Sequence, residues 1–244
     1  AEKLRPDHAM DHYFYRSHLV YEQELEHLIF KSWIYALHVS EIPSAGDYQI
    51  VEIGEDSIIV VRTETGDIQA MHNICRHRGS RVCEELSGNK KTFVCPYHGW
   101  VYNVDGSLKA ARETHVMPDF DVSAHGLKPV KCVTYQGLVF INCDPDAGDL
   151  LYSLGNLREP LSAYDLEHAK MAHQKTYRVN ANWKLALENY VECYHCATAH
   201  RAYARMHTFK DPWEKSRPVV EKMLENAEQI TGIPGITKQH YQVY

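Results

Sequence analysis

The stretch from Cys75 to Trp100, which reads CRHRGSRVCEELSGNKKTFVCPYHGW, constrains the fold of this chain more than any other part. It holds two short pairs, Cys75-x-His77 and Cys95-x-x-His98, and the span between them is long enough for a loop and a turn. Each pair offers one thiolate and one imidazole. Four such ligands can bind a tetrahedral zinc ion, or a [2Fe–2S] cluster with two cysteines on one iron and two histidines on the other. The sequence therefore predicts a metal centre whose ligands come from two loops.

The residues that flank the two pairs distinguish between these metals. They are Arg78-Gly79, Pro96-Tyr97 and Gly99-Trp100. Together with the pairs they resemble the Rieske signature, which implies that Cys75, His77, Cys95 and His98 hold a [2Fe–2S] cluster. Glycines at 79 and 99 would let two tight turns bring backbone N–H groups close to the cluster sulfides. A zinc knuckle with the same four ligands is the alternative.

Composition and charge exclude several classes of function. Among the 244 residues, 26 basic side chains stand against 32 acidic ones, a net charge of −6, so we expect no nucleic-acid partner. No apolar run approaches the roughly 20 residues that span a membrane, and the N-terminus AEKLRPDHAM lacks a signal-peptide core, so we expect no membrane association. The cysteine count of 7 is odd and two are assigned to the metal centre, which favours free thiols in a reducing cytoplasm.

Hydrophobic periodicity predicts a helix followed by a mainly β region. Apolar residues within 20–37 recur at the spacing of one helix face. Antiparallel strands are predicted at 48–53, 57–63, 68–74, 127–135 and 137–143. A hairpin is predicted at 100–111, with Asp105-Gly106 as its tight turn. An all-β region of about 40–145 follows from these patterns.

A polar, turn-rich boundary at 144–149 separates this region from a more helical one. Helices are predicted at 153–164, 182–203 and 218–230, and strands at 169–180 and 239–244. The fold class is therefore α+β. We expect an N-terminal helical segment at 1–39, an all-β domain at 40–148, and the beginning of an α+β domain at 149–244.

A second group of metal-binding residues lies in the predicted helix 182–203: Asn189, Glu192, His195 and His200. Glu192 and His195 share a helix face, whereas His195 and His200 would lie about 140° apart on an ideal helix. Both histidines can bind one ion only if the helix ends or bulges after His195. Two histidines and a carboxylate with open positions form the ligand set of non-haem Fe(II) oxygenases.

Two other interpretations of this helix stay open. Histidines on a tyrosine-rich helix are commonly packing or surface residues. Cys193-x-x-Cys196 could be a redox or zinc pair, although such a pair usually needs a strand–turn–helix context or a second CxxC, and the sequence offers neither.

Taken together, the motifs resemble the α-subunits of Rieske non-haem iron oxygenases. The likeness runs from the N-terminal helix, through CRHRG and CPYHGW, to NWKLALENYVECYHCATAH. It implies a helix-grip-like catalytic domain after the cluster domain, with mononuclear Fe(II) on His195 and His200. It implies that Glu192 couples the cluster of a neighbouring subunit to this iron, and that Asn189 lies in or near the iron's outer shell. The implied partners are O₂, a small organic substrate, a reductase or ferredoxin that delivers electrons from NAD(P)H, and further subunits in an α₃ or α₃β₃ ring.

Departures from the family pattern narrow this interpretation. Many aromatic-ring dioxygenases have Asp where this chain has Glu192, and ECYHC looks more like the branch that oxidises quaternary ammonium compounds. The family's third iron ligand is a late carboxylate with no counterpart here, so we expect the chain to be truncated. Respiratory Rieske proteins have extra cysteines where this chain has Ser80 and Tyr97. An aromatic-ring-hydroxylating dioxygenase, and an electron carrier with an inactive mononuclear site, remain the alternatives.

Overall fold

The computed structural model describes residues 9–113, 116, 119–192, 195–206, 218, 221–222 and 225. The chain forms two compact units. The β unit comprises Glu24–Leu154 and Arg158–Gln174, and the helical unit comprises the remaining described residues. The α+β class predicted from the sequence is confirmed.

A seven-stranded, wholly antiparallel sheet dominates the β unit. Its strands are β1 (Ile34–His38), β2 (Asp47–Ile53), β3 (Asp56–Arg62), β4 (Ile68–His72), β5 (Ser87–Asn89), β9 (Pro129–Tyr135) and β10 (Leu138–Asn142). They lie in the order β1-β10-β9-β4-β3-β2-β5. A second sheet has three strands in the order β6-β7-β8: β6 (Thr92–Val94), β7 (Val101–Asn103) and β8 (Leu108–Ala110).

Strand β3 is apolar on both faces because both faces are covered. Ile59 and Val61 belong to one core cluster, whereas Ile58 and Val60 belong to another. All four side chains are fully buried, and each such burial contributes roughly 1.5–3 kcal/mol to folding. The continuous run SIIVVR is therefore a central strand between two cores.

The first of these cores positions the predicted metal ligands. It joins Tyr48 and Ile59 of the large sheet to Phe93 and Tyr102 of the small one. Cys75 and Cys95 are members of the same cluster. The two ligand loops are thus built on a packed core that both sheets contribute to.

The helical unit contains α1 (Tyr13–Arg16), α5 (Trp183–Val191), α6 (Cys196–Ala199), α7 (Arg201–Met206) and most of α2 (His18–Glu24). Asn182 caps α5 by accepting the Lys184 N–H at 3.1 Å. The Tyr15 hydroxyl donates to Glu188 at 2.8 Å and so ties α1 to α5. The helices α3 (Leu150–Leu154) and α4 (Arg158–Ser162) belong to the β unit.

Two of the predicted elements are wrong. The helix predicted at 20–37 ends early: α2 is followed by a π-helical turn at Leu25–Ile29, and Ile34–His38 is strand β1. Pairing of β1 with β10 overrides the local helical pattern. The strand predicted at 169–180 does not form, because a strand needs a hydrogen-bonded neighbour and none reaches it from the described residues.

The other predicted elements are confirmed in outline where they are described. The 100–111 hairpin turns at Asp105-Gly106, between β7 and β8. The helix predicted at 153–164 forms as two shorter helices, α3 and α4, joined by a 3₁₀ turn. Strand 239–244 and most of helix 218–230 lie outside the described residues. Within the described part of the chain, no helix is both long enough and apolar enough to cross a membrane.

Candidate metal centres

The two predicted ligand loops have the same backbone hydrogen-bond pattern. In the first, Cys75 N donates to Ser80 O at 2.8 Å and Gly79 N donates to Cys75 O at 3.0 Å. In the second, Cys95 N donates to Trp100 O at 2.8 Å and Gly99 N donates to Cys95 O at 3.0 Å. Gly79 and Gly99 both have positive φ, 75° and 69°, a conformation that other residues adopt at a cost. Two equivalent turns therefore face one another across the same core.

The four predicted ligands form two pairs, with both thiols in the core and both imidazoles towards the surface. Cys75 and Cys95 are both buried in the same core cluster, and Cys95 is close enough to help raise the pKa of Cys75. The His77 and His98 rings lie on the outer side, with centroids 4.6 Å apart. His77 is exposed and His98 is half-buried. Each loop thus contributes one thiol to an inner pair and one imidazole to an outer pair.

This arrangement fits a [2Fe–2S] cluster better than a single zinc ion. A cluster of this type takes two cysteines on one iron and two histidines on the other. Among the described residues, no three His, Cys, Asp or Glu side chains converge on one ion position. Pairs of ligands of one type, an inner thiol pair and an outer imidazole pair, are what two irons bridged by sulfides require.

The inner pair has hydrogen-bond donors placed to stabilise a metal-bound thiolate. Burial raises the pKa of Cys75, while hydrogen bonds from Tyr102 and the His77 N–H oppose this rise. The Tyr102 hydroxyl lies 3.2 Å from the Cys75 sulfur. Its oxygen also accepts the Arg76 N–H at 3.0 Å, so the hydroxyl proton is free to point at the sulfur. A thiolate here would accept hydrogen bonds that a free buried thiol does not need.

Aromatic rings surround the outer pair. The Trp100 indole stacks on His77, with centroids 5.0 Å apart and planes at 8°. The Tyr97 ring lies 3.8 Å from His98. Desolvation, followed by the nearby His77 and Arg78, holds the pKa of His98 below its ordinary value. The ring contacts hold both imidazoles in place, and the lowered pKa of His98 favours its neutral form, which is the form that binds metal.

The second candidate centre depends on a break in the predicted helix. Helix α5 ends at Val191, and Glu192 follows with extended backbone. His195 precedes the short helix α6, and His200 follows it. Helix α6 ends at Ala199, and His200 has non-helical backbone with φ of −123° and ψ of 59°, so the helix end that the sequence required after His195 occurs. The His195 and His200 rings lie at a centroid distance of 5.3 Å.

Glu192 and His195 are joined directly. The Glu192 carboxylate lies 3.0 Å from Nδ1 of His195, and both side chains are partly buried. A carboxylate at Nδ1 favours the tautomer with its proton there and leaves Nε2 free to bind a metal. The Cys196 sulfur lies 3.9 Å from this Nε2. Cys193, the other half of the alternative CxxC pair, lies outside the described residues.

An open pocket of about 640 Å³ surrounds this second centre. Asn189, Glu192, His195 and His200 all line it, so the four residues singled out in the sequence share one site. Tyr190, Arg201 and Tyr203 line the same pocket. The arrangement offers two imidazoles for a metal and space for a small molecule beside them.

Two functional residues escaped the sequence analysis. Tyr102 faces inward from strand β7, but its contact with Cys75 spans 27 positions and no local pattern encodes it. Asn73 is fully buried and bonds to Val82 and Cys83 across the first ligand loop. Its place two positions before the predicted ligand Cys75 is the signal that the sequence carries for this role.

Comparison with known families agrees with both centres. Residues 32–121 match the Rieske [2Fe-2S] domain. Residues 166–233 match the catalytic domain of the ring hydroxylating alpha subunit. The first match contains both ligand loops, and the second contains the pocket residues 189–203.

Individual relatives point in the same direction. The chain is 40% identical over 206 residues to the glycine betaine monooxygenase oxygenase subunit of Pseudomonas aeruginosa strain UCBPP-PA14, covering 82% of this chain and 47% of the relative. It is 37% identical over 193 residues to the carnitine monooxygenase oxygenase subunit of Escherichia coli K12, covering 78% of this chain and 52% of the relative. The chain thus spans about half the length of these curated relatives.

A solved structure shares the fold. It is a quaternary ammonium Rieske monooxygenase, described for carnitine oxidation by gut microbiota and for inter-subunit electron transfer. The TM-score is 0.74 at 34% identity, over 79% of this chain and 53% of that one. With a Rieske domain, part of a ring-hydroxylating catalytic domain and this structural likeness, the chain belongs to the family of Rieske oxygenase α-subunits.

Proposed function

We propose that the intact protein is the terminal oxygenase component of a Rieske non-haem iron system, which uses electrons from a reductase to activate O₂ and to hydroxylate or N-demethylate a quaternary ammonium compound. One observation carries this proposal: a single chain holds a sorted thiol and imidazole pair in one unit and a carboxylate-supported histidine pair beside a pocket in the other. The first set suits one-electron transfer, and the second suits O₂ chemistry.

The residues divide between the two tasks. Cys75, His77, Cys95 and His98 hold the [2Fe–2S] cluster, and His195 and His200 hold the mononuclear iron. When bound, the cluster supplies single electrons and the iron binds and reduces O₂. Glu192 keeps the proton of His195 on Nδ1 and provides a polar connection for the incoming electron. Asn189 lines the pocket from the preceding turn of α5.

A third iron ligand is not among the described residues. We propose that a carboxylate elsewhere in the intact protein completes the iron site. We also retain the division into segments 1–39, 40–148 and 149–244 as a proposal for the domain organisation. The three ranges correspond to an N-terminal segment, the cluster domain and the first part of the catalytic domain.

The pocket supports a quaternary ammonium substrate. Tyr190 and Tyr203 line it, and their ring faces can attract a trimethylammonium group by cation–π interaction. Arg201 lines the same pocket and offers a guanidinium to a carboxylate. Glycine betaine and carnitine, the substrates named for the two relatives, carry both groups. The aromatic-ring substrates of the alternative function would leave the trimethylammonium interaction unused.

Partners and compartment follow from the same proposal. A reductase or ferredoxin supplies electrons derived from NAD(P)H. Further copies of the subunit, as α₃ or α₃β₃, place the cluster of one subunit beside the iron of the next. None of the six cysteines among the described residues forms a disulfide, which is consistent with a reducing cytoplasm.

The test uses the full-length protein, purified without oxygen. We expect a red-brown protein with a rhombic Rieske EPR signal and one iron per subunit beyond the two of the cluster. With a reductase and NADH, it should oxidise glycine betaine or carnitine. His195→Ala should abolish turnover and keep the Rieske signal, whereas His173→Ala, at an exposed histidine outside the pocket, should change neither.

Three results would contradict the proposal at different points. A colourless protein would indicate that the four ligands bind zinc and not a [2Fe–2S] cluster. A Rieske signal without substrate turnover, in the wild type and in His195→Ala alike, would indicate an electron carrier with an inactive mononuclear site. Turnover of benzoate, without turnover of glycine betaine or carnitine, would indicate an aromatic-ring-hydroxylating dioxygenase.

A further inference from the structure

Asn73 is a buried amide with every hydrogen-bonding position occupied. Its side chain is 0% exposed. Oδ1 accepts the N–H groups of Val82 at 3.0 Å and Cys83 at 2.8 Å. Nδ2 donates to the Cys83 carbonyl at 2.7 Å and to the Ser57 hydroxyl at 3.0 Å. Two donors and two acceptors are the full capacity of an amide side chain, so Asn73 is held on all sides.

These bonds close the first ligand loop at its base. Asn73 lies two positions before Cys75, and Val82 and Cys83 follow the end of the loop. Ser57, the outer partner, lies at the start of strand β3, and its carbonyl also accepts the Asn73 N–H at 2.8 Å. The loop is therefore connected through one side chain to the centre of the large sheet.

The second ligand loop needs no such residue. Strands β6 and β7 flank it directly, and Val94 pairs with Val101 immediately outside Cys95 and Trp100. The first loop lacks this ladder: β4 ends at His72, β5 begins at Ser87, and the bridge between Ile74 and Arg81 is isolated. The Asn73 amide bonds both the N–H and the C=O of Cys83, as a peptide group of a paired strand would.

We propose that Asn73 is a positioning residue for the Rieske cluster, in which a side-chain amide replaces a missing β ladder and fixes the first ligand loop. This inference rests on the proposed function, since it assumes that Cys75 and His77 bind the cluster. Loss of the amide leaves three buried backbone groups of Val82 and Cys83 without partners. The loop then shifts to satisfy them, and Cys75 and His77 move with it.

Asn73→Asp in the full-length protein is the direct test. The variant keeps Oδ1 but places a second oxygen against the Cys83 carbonyl, where the donor was at 2.7 Å. We expect changed EPR g-values, a lower midpoint potential, and a kcat reduced by about tenfold or more with KM unchanged. KM should not change because Asn73 does not line the pocket at 189–203.

Asn142→Asp is the matched control. Asn142 is also buried, at 1% exposure, and its side chain donates to the Lys31 carbonyl at 3.3 Å and accepts the Asp144 N–H at 2.9 Å. It lies in β10, away from both ligand loops. We expect this variant to lose stability while its g-values and midpoint potential stay at those of the wild type. That outcome separates positioning of the cluster from general destabilisation.

Ser57→Ala covers the case in which Asn73→Asp does not fold. It removes only the outer hydrogen bond of the amide and introduces no charge, so its shift of g-values and potential reports the position of the loop alone, and we expect this shift to be smaller. Wild-type g-values and potential in a folded Asn73→Asp, or in Ser57→Ala if the first variant does not fold, would overturn the inference. A wild-type protein with no Rieske signal would instead overturn the proposed function.

Discussion

The Tyr102 hydroxyl lies 3.2 Å from the Cys75 sulfur, and the Arg76 N–H occupies its acceptor side at 3.0 Å. A hydrogen bond to a ligand sulfur stabilises the more negative, reduced form of a cluster. Tyr102→Phe should therefore lower the midpoint potential. A bond worth about 1 kcal/mol corresponds to roughly 40 mV in a one-electron couple. Redox titration of the Rieske signal measures the shift.

Tyr48→Phe is the control for this prediction. Tyr48 lies in the same core as Tyr102 and is equally buried. Its hydroxyl has no hydrogen-bond partner among the described residues, so its removal should leave the potential unchanged. Equal shifts in the two variants would mean that the hydroxyl of Tyr102 has no specific effect on the cluster.

Two turn glycines should differ in their tolerance of a side chain. Gly66 and Gly106 both have positive φ, 91° and 82°. A Cβ at Gly66 would meet nothing within 4 Å, whereas a Cβ at Gly106 would lie 2.9 Å from the Met71 sulfur. Gly66→Ala should cost about 1–2 kcal/mol from backbone strain alone. Gly106→Ala should cost roughly a further 1–3 kcal/mol from overpacking, measured by denaturant unfolding. Equal losses would show that Met71 moves aside freely.

The sequence predicted those features that are encoded over short distances. The hairpin at Asp105-Gly106 depends on a few adjacent residues, and both ligand pairs stand within a few positions of their glycines. The break in the helix proposed to bind iron was predicted from spacing alone, because His195 and His200 could not otherwise meet. The end of α5 before Glu192 was not predicted, because no residue type near Glu192 indicates extended backbone there.

The features that were missed depend on distant partners. Ile34–His38 has a helical pattern but forms a strand, because residues a hundred or more positions later pair with it. Residues 169–180 have a strand-like pattern without a neighbour among the described residues. The bonds from Asn73 to Val82 and Cys83 likewise appear only once the loop between them is closed.

His168 provides a prediction of pH dependence. Its ring lies 2.7 Å from the Asp165 carboxylate, and this hydrogen bond raises the pKa of His168 above 6.5. A group whose pKa is raised on folding stabilises the fold below its unfolded pKa, and this contribution is lost as pH rises through the folded pKa. The stability that wild type has over Asp165→Asn should thus be fully present below about pH 6.5 and decline above it.

Asp165→Asn is a suitable variant because Asp165 has φ of 48°, and Asn tolerates this left-handed conformation. An NMR titration of His168 should show a lower pKa in the variant. An unchanged titration would mean that Asp165 does not pair with His168 in solution.

Arg201 should select for substrates that carry a carboxylate. It lines the pocket with Tyr190 and Tyr203. A charge-assisted hydrogen bond is worth about 1.5–3 kcal/mol, so Arg201→Gln should raise KM for glycine betaine or carnitine by about tenfold or more. Choline has the same trimethylammonium group and no carboxylate, and its KM should not change. A parallel rise for choline would indicate a general disturbance of the pocket.

Glu192 should matter for turnover more than for the fold. Its carboxylate lies 3.0 Å from Nδ1 of His195 and would leave Nε2 to face the proposed iron. Glu192→Leu keeps a side chain of similar size but removes the acceptor, and such losses typically cost about 10–100-fold in activity or metal affinity. We expect kcat to fall by that amount while the Rieske EPR signal is unchanged. Glu188→Leu, one turn earlier on α5, removes the partner of Tyr15 and should reduce stability but leave kcat near wild type. Equal losses of kcat in the two variants would mean that Glu192 supports the structure of the helical unit and has no specific role at the proposed iron site.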